Sequence, residues 1–212
     1  MSILQDIAEK LQMGKSKAVA QLVAQALEEG EAPDVILDQG LIAGMDVVGE
    51  QFKNGDLFVP EVLIAARALS KGMEVLKPAL QGAGVEPIGK AIICTVHGDM
   101  HDIGKNLVAS MFEGSGFEVV NLGINVEADK FVQAIKENDA DILVLSALLT
   151  TTMGYMKDVI EAVKAAGLRD KVKIMVGGAP VNADFAAQVE ADVYTADANE
   201  AVLVAKKLLG KA

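Results

Sequence analysis

The chain has 212 residues, 51% of them apolar, and a formal net charge of −11. Length and apolar content suffice for one large domain or two small ones with buried cores, which excludes a disordered chain. The acidic balance, with no basic stripe to neutralise phosphates, argues against a nucleic-acid partner and disfavours anionic membrane surfaces.

Residues 1 to about 81 carry helical spacing throughout. The first ten residues are charged and helically spaced where a secretory signal would have an uninterrupted apolar core. No later segment approaches the length of a bilayer span, so the expected location is the cytoplasm. Ile3, Ile7 and Leu11 mark one stripe. Val19, Leu22, Val23, Ala26 and Leu27 mark a second, ending near Gly30. Pro33 suits a first helical turn, and Leu41, Met45, Val48 and Phe52 continue a third stripe until Asn54-Gly55-Asp56 breaks it. Pro60 opens a fourth helix with Leu63, Ala66, Leu69, Met73 and Leu76 as its inward face. Four helices with short loops predict a four-helix bundle.

Gly82 to Gly89 has no period and three glycines, as a linker or hinge would. Beyond it, short apolar runs at Ala91–Val96, Val119–Leu122, Ile142–Leu145, Lys173–Val176 and Val193–Thr195 alternate with amphipathic stretches. That alternation predicts βα units on a five-stranded parallel sheet, Rossmann-like and of flavodoxin-type strand order, over residues 90–212. The single cysteine, Cys94, lies inside the first run and reads as a small core residue.

Cys94-Thr-Val-His-Gly-Asp-Met-His-Asp-Ile-Gly-Lys-Asn106 places Asp99, His101 and Gly104 between a strand and a helix, in the pattern D-x-H-x-x-G. Two further segments, Ser146-Ala-Leu148 and Gly177-Gly178, each follow a strand directly. In such sheets ligands sit beyond the carboxyl ends of strands where strand order reverses, so the three segments are expected to converge on one edge. Both histidines of the chain lie in the first loop. A ring nitrogen that binds a metal must be held in the correct tautomer, and a carboxylate on the other nitrogen does this; Asp99 is placed to serve His101 so.

This three-part set and its spacing resemble the cobalamin-binding domains of corrinoid methyl carriers and of methionine synthase, and Gly40 to Leu80 looks like their helical cap. The resemblance implies that His101 displaces the cofactor's benzimidazole and binds cobalt from the lower face, with a relay through Asp99 to the hydroxyl of Thr152. It implies corrin contacts from Gly98, Asp99, Met100, His101, Asp102, Ile103 and Gly104, and from Leu148 and Thr150. Gly104, Ser146, Gly177 and Gly178 would admit the displaced nucleotide tail, with Tyr194 and Ala196 bordering it and Phe58 and Leu63 covering the upper face. The cofactor would be cobalamin or a related corrinoid, methylcobalamin when loaded. The chain would then be a non-catalytic carrier of methyl groups in one-carbon metabolism. Its partners would be a substrate-specific methyltransferase, a second methyltransferase using tetrahydrofolate or a thiol, and a reductive activase.

Three other readings stay open at this point. A cobalamin sensor would need a DNA-binding module, and a mutase small subunit would carry adenosylcobalamin; the bundle before the motif fits a methyl carrier better. His97-x-Asp99-x-His101 could also hold zinc or iron, but no third histidine exists.

Overall fold

A computed structural model describes residues 2–211, which divide into two compact units. One takes in the chain up to Pro87 together with Ser110–Gly116; the other is Ile88–Ala109 together with everything from Phe117 onward. Among the described residues no helix is long and apolar enough to cross a membrane.

The first unit is helical. Helix α1 (Ile3–Gln12) starts at Ser2, whose hydroxyl accepts the Gln5 N–H at 3.3 Å while the Gln5 side chain accepts the Ser2 N–H at 3.2 Å. That reciprocal pair satisfies two of the donors a helix start leaves open. Helix α2 (Ser16–Glu28) follows a tight turn. The third rod is composite: α3 (Pro33–Val35), a π-helical stretch Ile36–Ile42, then α4 (Ala43–Asn54). Ile7, Leu11, Val19, Val23, Leu41 and Val48 are completely buried, as the stripes predict, and so is Ile36, which lies outside them.

Helix α5 (Val59–Ala83) differs from expectation at its inward face and at its end. Val62, Ala65, Ala66, Leu69, Gly72 and Leu76 are buried, whereas Leu63 and Met73 are only half-buried. The cause is Gly72: a Cβ there would lie 2.8 Å from Leu41 and 3.0 Å from Val19, so the backbone itself is the contact and the buried stripe centres on it. The helix also runs through Gly82 and stops at Gly84, which adopts the left-handed conformation at φ +69° that closes many helices.

The second unit is a five-stranded parallel sheet of order β2-β1-β3-β4-β5, the expected flavodoxin-type order. Its strands are β1 (Lys90–Val96), β2 (Glu118–Val126), β3 (Ile142–Ser146), β4 (Lys173–Gly177) and β5 (Val193–Tyr194). Helices α6 (Ile103–Gly114), α7 (Ala128–Asn138), α8 (Tyr155–Ala165), α9 (Ala183–Gln188) and α10 (Ala198–Leu208) connect or follow them. β1 and β3 are near-continuous apolar runs because helices cover both faces of a parallel sheet. Strand order reverses between β1 and β3, so the loops leaving those strands part there. Register then aligns the motifs: Thr95 pairs with Ser146, and Ser146 with Gly177, one row across the end of the sheet.

β2 extends four residues past its expected end, to Val126. Its pairing with β1 slips between Ile93 and Cys94 and again between Cys94 and Val96, each time leaving one extra residue on β2. Gly123 at φ +87° and Asn125 at φ +53° absorb the bends.

Candidate functional site

Asp99 lies in the loop after β1 and is completely buried. Its Oδ1 accepts the backbone N–H of His101 at 3.0 Å and lies 2.7 Å from His101 Nδ1. Its Oδ2 accepts the Leu148 N–H at 2.8 Å, the Leu149 N–H at 3.3 Å and the Thr152 hydroxyl at 2.7 Å. Burial alone would push this carboxyl up. The hydrogen bonds from Thr152, the His101 and Leu148 backbones and the His101 ring outweigh it and hold the group well below the usual carboxylate range. An ionised carboxylate only accepts, so Nδ1 carries the imidazole proton and Nε2 is the bare nitrogen. One carboxylate thus ties the loop after β1 to the loop after β3.

The Thr95 hydroxyl donates to the His101 carbonyl at 2.9 Å, a second hold on the same residue. The imidazole is 49% exposed, and among the described residues Nε2 makes no hydrogen bond. Around it the two loops present Met100, Ile103, Leu148 and Leu149, each at least 41% exposed. Four large apolar side chains on two tethered loops form the kind of exposed patch that marks a binding surface. A bare, oriented imidazole nitrogen set among them suits a large, mostly apolar ligand that carries a metal.

A B12 binding domain model matches residues 89–205, and a second B12 binding domain model matches residues 3–77. The chain belongs to the B12-binding family. It is 44% identical to a dimethylamine corrinoid protein of Methanosarcina barkeri over 98% of this chain and 97% of that one. It is also 44% identical to a trimethylamine corrinoid protein of Methanosarcina mazei, over 90% and 88%. Among solved structures, the methanol:cobalamin methyltransferase complex of Methanosarcina barkeri superposes with a TM-score of 0.87 at 31% identity, covering 99% of this chain and 80% of that one. A cobalamin-binding protein from Desulfitobacterium hafniense DCB-2 gives 0.78 at 33% identity, covering 97% and 98%.

The cofactor of this B12-binding protein is a cobalamin or related corrinoid, and the remaining residues of the site fit one. A Cβ added to Gly104 would meet nothing within 4 Å. No neighbour in the chain demands a glycine at this position, the second residue of α6, and its missing side chain leaves the backbone open to close approach. Ser146 is half-buried, and among the described residues its hydroxyl makes no hydrogen bond, which leaves it free for a ligand. Gly177 and Gly178 differ from Gly104. A Cβ on Gly178, at φ +121°, would lie 1.9 Å from the Ala147 carbonyl oxygen, and one on Gly177 would lie 3.3 Å from that of Thr195. The chain's own packing thus already requires Gly178.

Asp102 accepts from the Asn106 side chain at 3.1 Å, and Thr150 is exposed beside Leu149. Tyr194 is half-buried on β5, and the Ala196 N–H donates to Glu200 at 2.7 Å. Phe58, in the helical unit, is 70% exposed at the start of α5, and Leu63 is half-buried one turn on.

His97 does not join the Asp99–His101 pair. Its ring packs against Tyr155 with the centroids 4.8 Å apart and the planes tilted by 42°, its Nδ1 is buried without a partner among the described residues, and it lines an open cavity of about 490 Å³ between β2 and α7. Among the described residues no three histidine, cysteine or acidic side chains could hold a metal ion, which removes the zinc or iron reading. Asp99, facing five donors, has no lone pair to offer one.

Three side chains of the site carry no sequence signal that singles them out. Thr95 reads as one more strand residue. Lys105, only 3% exposed, donates to the side-chain oxygens of Asn106 and of Asn121, the latter at 2.8 Å; burial pushes its pKa down. Asn125 accepts the Gly98 N–H at 2.8 Å.

Proposed function

We propose that this chain carries a methyl group on a corrinoid between two methyltransferases. A corrinoid supplies a cobalt ion that accepts a methyl group from one reaction and releases it in another, so the hard chemistry belongs to the cofactor. His101 Nε2, the bare ring nitrogen, would hold the cobalt. Asp99 keeps the proton on Nδ1 and makes the ring a better ligand, and Thr152 orients Asp99. Met100, Ile103 and Leu148 would contact the macrocycle, and Gly104 and Ser146 would border the nucleotide tail. Phe58 and Leu63 would be the helical unit's contacts to the corrin, and Val85 to Gly89 would serve as the hinge. The single observation that carries the reading is the buried Asp99 carboxylate leaving His101 Nε2 bare among exposed apolar side chains.

The methyl source is a methylated amine. Relatives at 44% identity carry dimethylamine and trimethylamine in their names, and the methanol complex stands at 31%. The loading partner is then a methylamine-specific methyltransferase, the acceptor side a second methyltransferase serving a thiol or tetrahydrofolate, with a reductive activase to restore oxidised cobalt.

The test begins with protein reconstituted with hydroxocobalamin and desalted, beside His101→Ala prepared identically. Retained corrin absorbance whose axial-ligand signature changes in the variant supports the reading, and a wild type that retains no corrin sinks it. Methylation of the reduced holoprotein by a dimethylamine or trimethylamine methyltransferase, but not by a methanol one, supports the assignment of donor; the reverse overturns it.

A further inference from the structure

We propose that Asn125 is a positioning residue that holds the His101 loop in the geometry needed for cobalt ligation; this rests on His101 being the lower ligand. Asn125 stands on β2, a strand that contributes nothing to the three-part motif. Its side-chain oxygen accepts the Gly98 N–H at 2.8 Å, and its own N–H donates to the Asp99 carbonyl at 3.1 Å. The two bonds grip the two residues that lead into the Asp99–His101 pair, from the side opposite to Leu148 and Thr152. Among the described residues the loop's other ties are the Asp99 carboxylate, the Thr95 hydroxyl and the Asp99 N–H, which donates to the Val96 carbonyl at 3.2 Å.

The fold takes a costly local route to make this grip. β2 gains an extra residue against β1 just before Val126, and Asn125 there adopts φ +53°. A bulge re-aims the side chain beside it and is over-represented next to active sites. Asparagine is among the few non-glycine residues that enter the left-handed region readily. A glycine would satisfy the backbone at this point but would supply no acceptor. The residue present is therefore one that meets both demands, the left-handed turn and the oxygen facing Gly98. Gly98 itself sits at φ +79°, so the loop it opens needs an external hold to keep one conformation.

Asn125→Gly keeps the backbone and removes the acceptor; Asn125→Asp keeps the acceptor. In full-length protein carrying 15N-histidine and loaded with cob(II)alamin at one fixed pH, a histidine ligand splits the cobalt EPR lines into doublets, whereas the cofactor's own benzimidazole would give triplets, and only the doublet counts below as nitrogen splitting. We expect Asn125→Gly to retain corrin with the nitrogen-split fraction reduced at least threefold, and Asn125→Asp to match wild type. Full nitrogen splitting in the glycine variant overturns the proposal, and so does its loss in the aspartate variant. A second readout needs no cofactor: amide hydrogen exchange at Gly98 in the corrin-free chain should be at least tenfold faster in Asn125→Gly, with β1 and β3 amides unchanged. Unchanged exchange at Gly98 overturns the clamp. A wild type that binds no corrin would instead sink the carrier reading, and the exchange experiment would still decide the clamp.

Discussion

Asp99→Asn alters the site at the atom pair on which it turns. Oδ1 faces two donors from His101, at 3.0 and 2.7 Å, and Oδ2 faces Thr152 at 2.7 Å and the Leu148 and Leu149 amides at 2.8 and 3.3 Å. An amide has one acceptor oxygen, so its NH2 must point at donors on one side or the other. Only on the His101 side can a donor become an acceptor, because imidazole can move its proton from Nδ1 to Nε2. The amide oxygen therefore takes the Thr152 side, and its nitrogen faces His101. The ring now accepts at Nδ1 and carries its proton on Nε2, the nitrogen ligation requires bare. The His101 backbone N–H is left against another donor. Losing one charge-assisted bond costs about 1.5–3 kcal/mol and stranding an N–H about 1–3 kcal/mol, part of which water relieves at a half-exposed residue. The net expectation is about 2–4 kcal/mol. With a urea slope of about 2 kcal/mol per molar, the unfolding midpoint of the corrin-free chain falls by about 1–2 M. With 15N-histidine in the chain, the reconstituted variant should retain corrin yet show no histidine doublet in the cobalt EPR lines. A stability loss below about 1 kcal/mol, or nitrogen ligation intact, refutes the tautomer account.

The other expectations follow from the same geometry. Because the Asp99 carboxyl is held well below its unfolded value of about 4, its contribution to stability is complete above about pH 5 and is lost as pH falls below that value. Urea titrations from pH 3 to 7 should therefore show the gap between wild type and Asp99→Asn flat at the upper end and narrowing toward the acid end. Thr152→Val removes the hydroxyl donor to Asp99 and should cost about 1–2 kcal/mol by urea denaturation. Thr152→Ser keeps that donor and should cost less than about 1 kcal/mol, the value of one methyl, with an unchanged corrin spectrum. The glycines should split in a paired measurement of urea midpoint and corrin retention. Gly178→Ala, with a Cβ 1.9 Å from Ala147 O and φ +121°, should lose about 3 kcal/mol or more of fold stability before any cofactor is added. Gly104→Ala should leave the corrin-free midpoint unchanged or raised by up to about 1 kcal/mol, yet lose corrin on desalting.

The strands were legible because a parallel sheet covered on both faces needs apolar runs, and β1, β3 and β4 start and end within one residue of those runs. The far end of β2 was not, because Gly123 and Asn125 follow the run there and a bulge arises from pairing with β1, which no local pattern records. In α5 the apolar spacing allowed two neighbouring stripes sharing Ala66, Leu69 and Leu76; the close approach at Gly72 chose between them. The π-helical stretch at Ile36–Ile42 shows the same limit, since its apolar residues fit an α-helical spacing as well. At the site, the Asp99–His101 contact could be reasoned from two residues' separation. Thr152, fifty-three residues from Asp99, came from the resemblance alone. The Leu148 and Leu149 contributions were invisible because the donors are backbone amides, which residue type does not encode.

Where the buried polar side chains sit bears on why this edge of the sheet is built as it is. Among the described residues they are Thr95, Asp99, Lys105, Ser115, Thr152 and Thr195. Thr95, Asp99 and Thr152 meet in one hydrogen-bonded set around His101, and Thr195 follows β5 beside Gly177. The sheet below them is held by Ile92, Leu143, Leu145, Ile174 and Val176, all completely buried, and needs no polar group for its packing. A buried carboxylate with its partners is at best neutral for folding compared with apolar residues of the same shape. Its value has to lie in what it fixes: the direction and tautomer of one exposed imidazole. The ties from Thr95, Thr152, Leu148 and Asn125 all end on Asp99 or on a residue within three positions of His101. That convergence from β2, β1 and the loop after β3 is what preorganising a single ligand nitrogen requires, since a side chain on a loop keeps its geometry only when neighbouring elements over-determine it.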